Sequence, residues 1–151
     1  MLERVAKIGL AFIAASLATG VAASVFSTQF VIAGLGAIDV HVPFGTRLSM
    51  TVTDLRMLLI LVPSAMACFL PAFVVAAVLS KHVGGSRDAW FVLAGGVALV
   101  VELMIIEASL SLMPIAGART AAGLALQGVA GALGGYVFAR LTTARSAAEA
   151  S

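Results

Sequence analysis

Apolar positions in this chain fall into four long runs, each close to the roughly 20 residues that a helix needs to cross a bilayer. The first covers residues 8–35, is rich in alanine, and places Ala11, Ala15, Ala18 and Ala22 three to four apart on one smooth helical face. The second covers 55–79, with Asp54 or Thr53 as the capping residue ahead of it. Pro63 and Pro71 lie inside it, about two turns apart, so any bends they cause point to similar sides. The third covers 89–113 and opens with Trp90, an aromatic anchor suited to the membrane interface. The fourth covers 116–139, and there Gly131 and Gly135 have the GxxxG spacing with Gly128 on the same face, predicting close helix packing within the bundle or against another subunit.

The pattern changes between residues 38 and 53. Val40 and Val42 alternate with Asp39 and His41, and beyond Pro43-Phe44-Gly45-Thr46 the alternation resumes as Leu48, Met50 and Val52 against polar neighbours. Two period-two runs around a Pro/Gly turn predict a short β-hairpin, with an irregular loop as the competing reading. The expected architecture is an all-α membrane protein: a four-helix transmembrane bundle with a short extracytoplasmic hairpin or loop between its first two helices. Residues 1–151 form a single domain, and 142–151 read as a small, polar, mobile cytoplasmic tail.

Composition agrees with lipid as the solvent. Hydrophobic residues make up 62% of the chain and charged residues 11%, too few to cover a soluble surface; mean hydropathy is +1.14. The net charge of +2 does not imply nucleic acid, because the basic residues are scattered at helix ends instead of forming a patch. They read as topology signals. Arg4, Lys7, Lys81, Arg87, Arg140 and Arg145 fall on one side of a four-span arrangement, and Arg47, Arg56 and Arg119 on the other. The positive-inside rule then puts both termini in the cytoplasm. A cleaved signal peptide competes for the first run, since Arg4 and Lys7 precede it and Ala22-Ala23-Ser24 resembles a cleavage site.

Chemistry-bearing residues are sparse. Cys68 is the only cysteine and reads as a small buried hydrophobe; His41 has no histidine or cysteine nearby with which to bind metal. HExxH, Walker-type and CxxC motifs are lacking, so neither a metal nor a cofactor is expected. What stands out is a set of polar groups within the spans. Glu107 and Arg119 lie at matching depth about one turn inside the outer ends of spans three and four, and Glu102 and Gln127 match about three turns inside. Each pair is a natural partnership, because an unpaired charge at the bilayer centre costs roughly 2.5–3.5 kcal/mol on insertion scales. Glu102 and Glu107 are separated by roughly 140° around their helix, so at least one must face another neighbour. Thr28 and Gln29 in span one, or Asp54 and Arg56 at the head of span two, are the candidates.

The run LSMTVTDL before span two, the PIAGAR turn from Pro114 to Arg119 and the glycine-rich fourth span resemble a group of uncharacterised small four-helix inner-membrane proteins of proteobacteria. That resemblance implies an inner-membrane location and no activity. Three functional classes fit these features. One is a non-enzymatic structural or accessory subunit of a homo-oligomer or larger membrane complex. A second is a small transporter or proton-conducting element in which Glu102 takes up and releases a proton. The third is a membrane enzyme acting on a lipid or quinone at the outer interface through Glu107, Arg119 and Asp54. The lack of a nucleophile, base and orienter set argues against the enzyme, and the first class is the expectation.

Overall fold

The computed structural model describes residues 2–36, 43–55, 58–110, 118 and 120–148. These residues are helical apart from short turns. The five helices are α1 (Leu2–Gly36), α2 (Phe44–Leu55), α3 (Leu58–His82), α4 (Arg87–Leu110) and α5 (Ala121–Ala148). All but α2 are long and apolar enough to cross a membrane. They pack as a closed ring in the order α1, α3, α4, α5, each antiparallel to its neighbours, and α2 rests against α1. This is the four-helix arrangement of a multi-pass membrane protein.

The spans are inverted relative to a soluble bundle. Small residues point inward on α1, where Ala11, Ala15, Ser16, Thr19 and Ala23 are buried, while Leu10, Ile13, Leu17 and Val21 point outward. On α4, Leu93, Val97 and Val101 do the same. Lipid tails are as apolar as these side chains, so nothing drives large aliphatics inside; close packing of small residues holds such helices together instead. The seam between α4 and α5 shows this best. A methyl group on Gly131 would collide with the Gly95 carbonyl oxygen and lie 2.9 Å from Leu99 Cβ; one on Gly135 would collide with the Phe91 carbonyl oxygen. Gly128 faces Gly96 and Val100 on the same seam. The glycine face of the fourth span is thus used inside the bundle. Gly134 turns the other way, against Ala15 and Thr19 of α1, so α5 meets two helices through glycine.

The segment expected as a hairpin is a helix over Phe44–Leu55. The alternation of Leu48, Met50 and Val52 is real, but Phe44, Leu48, Val52 and Leu55 also recur at three- to four-residue spacing, and this second period is the one adopted. No strand occurs among the described residues; Val40, His41 and Val42 lie outside them. Thr53 and Asp54 fall inside α2 and do not cap the second span, which begins three residues later than expected and continues through both prolines to His82.

The fourth span also starts later than expected. Thr120 caps α5, its Oγ1 accepting from the Gly123 N–H at 3.1 Å and its carbonyl from Leu124 at 2.8 Å. At its other end, α5 runs on through Thr142 and Thr143 to Ala148, where a mobile tail was expected. The α3–α4 turn depends on glycine: Gly84 and Gly85 have φ of 79° and 88°, a region that other residues rarely adopt. Trp90 closes this turn by donating to the Gly84 carbonyl at 2.8 Å, and the Ser86 hydroxyl accepts from the Ala89 N–H at 3.3 Å.

Candidate functional site

The bundle interior divides into two unlike halves. Near the end where α4 begins, five phenylalanines fill the space between all four spans: Phe12 of α1, Phe69 and Phe73 of α3, Phe91 of α4 and Phe138 of α5. Phe73 is the hub, stacked on Phe69 and Phe138 with centroids at 4.9 and 4.7 Å and edge-on to Phe12 and Phe91 at 6.1 and 5.4 Å. These are the offset and edge-to-face geometries that aromatic quadrupoles favour. The sequence spreads these rings over four separate runs, so no local pattern announces the cluster.

Arg87 crowns it. Its guanidinium lies 4.7 Å from the Phe91 centroid and donates from Nη1 to the Ala139 carbonyl at 3.1 Å and to Thr143 Oγ1 at 2.7 Å, and from Nη2 to Thr142 Oγ1 at 2.7 Å. The start of α4 is thereby fixed to the end of α5. Arg140 and Asp88 approach to 3.9 Å nearby, an exposed pair worth little.

Beyond the layer formed by Ala23, Leu99 and Ala130, each of the four spans contributes polar side chains at one level. From α1 come Ser24, Ser27 and Thr28, from α3 Ser64 and Cys68, from α4 Glu102 and from α5 Gln127. Leu103, Ala118 and Leu124 pack together on the side of the layer away from the phenylalanine cluster. Glu102 is 6% exposed and Gln127 1%. The Ser64 hydroxyl and the Cys68 thiol both lie beside the Glu102 carboxyl. They are four apart, so one face of α3 presents both. Gln127 reaches across to α1 and donates from Nε2 to the Ala23 carbonyl at 3.2 Å.

The pairing expected from depth alone is therefore replaced. Glu102 and Gln127 share a level, but each reaches past the other to a different helix. Depth fixes which residues are level; azimuth decides which of them touch. Three buried oxygens in the layer have no partner among the described residues: Ser24 Oγ, Glu102 Oε2 and Gln127 Oε1. Cys68, expected as an inert hydrophobe, is half-buried and faces a carboxyl. Ser64 and Cys68 were not among the expected site residues. Their four-residue spacing within an apolar run was the available signal.

Two of the remaining candidates are not brought into this layer. Glu107 and Gln29 are exposed. Arg119, the expected partner of Glu107, lies outside the described residues, as do Arg56 and the side chain of Asp54. Thr28 is buried, but its hydroxyl donates to the Ser24 carbonyl of its own helix at 3.1 Å. Among the described residues no group of three or more His, Cys, Asp or Glu side chains is placed to hold a metal ion.

Chemically, the layer can set the register of α5 on α1 through Gln127 and Ala23 and of α4 on α3 through the groups around Glu102, because a buried polar group in lipid must find its partner on a neighbouring helix. It also leaves Glu102 Oε2 able to take a proton. Compared with protein-family models, curated proteins and solved structures, the chain matches none.

Proposed function

We propose that this protein is a non-enzymatic, multi-pass component of the bacterial inner membrane, with both termini in the cytoplasm, acting as a structural or accessory subunit of a homo-oligomer or larger membrane complex. The observation that carries this reading is the contrast between the two halves of the bundle. The polar layer draws side chains from all four spans and joins them in two pairs, α5 with α1 and α4 with α3, while the half below it is filled by the phenylalanine cluster. A polar layer that ends on packed aromatic rings suits a register-setting role better than a conduit. The grouping of Lys7, Lys81, Arg87 and Arg140 at the end of the bundle that holds both termini supports the orientation.

Purification in a gentle detergent followed by sizing and identification of co-purifying chains tests the assignment. A defined complex or homo-oligomer is the expected result, and a monodisperse monomer with no partner would overturn it. Reporter fusions at the two ends should both read cytoplasmic.

The unpartnered Glu102 Oε2 favours a second reading, in which Glu102 carries protons. Reconstituted liposomes loaded with a pH-sensitive dye separate the two. Proton flux above that of empty liposomes, abolished by Glu102→Gln, would replace the accessory role with a conducting one.

A further inference from the structure

A groove of about 700 Å³ opens on the side of the bundle at its basic end, outside the polar layer. Ile8, Gly9 and Phe12 of α1 form one wall and Leu70, Phe73 and Val74 of α3 the other. The four neighbouring helix pairs are not equally tight: α1 and α3 pack least closely. Nothing lies within 4 Å of where a Cβ on Gly9 would stand, so the wall is open there. Lys7, Arg87, Thr142 and Thr143 line the same groove. It is thus apolar along its length and cationic at the end where α4 begins.

We propose that this groove binds one anionic phospholipid, an acyl chain lying between α1 and α3 and the phosphate meeting Lys7 and Arg87. In a bilayer a lateral apolar groove is filled by hydrocarbon, because water there would forgo its hydrogen bonds. The two cations select which lipid supplies that chain. A guanidinium has five N–H donors, and three of those on Arg87 are directed at Ala139, Thr142 and Thr143; two remain for a phosphate, and the three bonds hold the group in place. Lys7 has Glu3 at 4.0 Å, but that carboxylate is 90% exposed and is a weak competitor for a phosphate at the membrane surface. Asp88, the other acid at this end among the described residues, is turned to Arg140. A zwitterionic lipid would bring its own cation against Lys7 and Arg87, whereas an anionic headgroup brings none. The proposal requires the chain to lie in a bilayer and is independent of the accessory role.

Native mass spectrometry of the full chain, purified in mild detergent and titrated with dioleoyl phosphatidylglycerol or dioleoyl phosphatidylcholine, tests it. A single phosphatidylglycerol should remain bound under activation that strips phosphatidylcholine. Lys7→Gln should weaken the phosphatidylglycerol adduct roughly fivefold, as expected for one basic residue near the membrane surface, and leave phosphatidylcholine unchanged. Gly9→Phe, which fills the groove without altering charge, should reduce both adducts at unchanged helix content. Equal retention of the two lipids with no response to Lys7→Gln would overturn the proposal, as would a folded Gly9→Phe variant that keeps its phosphatidylglycerol. Lys7 is partly exposed near the start of α1, so the first variant decides the matter even if the second does not fold. A partnerless monomer in the sizing experiment would defeat the accessory role and leave this result standing.

Discussion

The α4–α5 seam gives the sharpest test of how this bundle is held together. Replacing Gly131 by alanine adds one methyl group where the Gly95 carbonyl, its carbonyl carbon at 3.0 Å and Leu99 Cβ at 2.9 Å already stand. Two of these three neighbours are backbone atoms, which cannot rotate away. Restoring an ordinary contact of about 3.5 Å requires the helices to part by about 1 Å, and a gap of that size forfeits a quarter to a half of the dispersion energy of each facing pair of atoms. Overpacking of this kind costs about 1–3 kcal/mol. Gly135→Ala strains the same seam against Phe91 and should cost a similar amount. Once the helices have parted for one methyl, the second is more easily accommodated, so the double variant should lose less than the two single losses combined. Gly34→Ala, with nothing within 4 Å of the added methyl, is the matched control. Unfolding by added sodium dodecyl sulfate, followed by far-ultraviolet circular dichroism, reads all four. If Gly131→Ala and Gly135→Ala unfold at the same detergent fraction as Gly34→Ala, close glycine packing is not what holds α4 to α5.

The same assay reaches the rest of the interior. Phe73→Ala, which removes the ring that meets four others, should cost about 3–5 kcal/mol. Leu93→Ala, on the exposed face of α4, should cost far less, and equal losses would refute the aromatic core. Glu102→Gln keeps a polar group beside Ser64 and Cys68 and should change stability by less than about 1 kcal/mol, whereas Glu102→Ala removes that group and opens a cavity, costing about 2–4 kcal/mol. Indistinguishable unfolding of these two variants would remove the polar layer from the account. Gln127→Leu gives up the bond to Ala23 together with an unpartnered oxygen, so the net loss should be near the roughly 0.6 kcal/mol average for interhelical hydrogen bonds in membranes. Finally, Phe44 is 80% exposed on the apolar stripe of α2, which suits a helix lying in the membrane interface. The single indole left by Phe44→Trp in a Trp90→Phe background should be quenched by brominated lipid, and unquenched fluorescence would place α2 in water.

The sequence by itself determined the class of this protein and its four apolar spans, because 20-residue apolar runs with so few charges have few alternatives to crossing a bilayer. It also determined which polar residues share a depth, since rise along a helix is fixed. Glu102 and Gln127 are level as the counting requires. Azimuth and helix order are not fixed by local spacing, so only the tertiary structure decided that Glu102 meets Ser64 and Cys68 while Gln127 reaches Ala23. The helix over Phe44–Leu55 was underdetermined for a related reason: its apolar residues satisfy periods of two and of 3.6 at once, and the sequence does not choose between them. The phenylalanine cluster lay beyond sequence reading because its five rings come from four helices, at positions that each look like ordinary apolar residues. What brings them together is the antiparallel ring of spans and the close α4–α5 approach that Gly95, Gly131 and Gly135 permit.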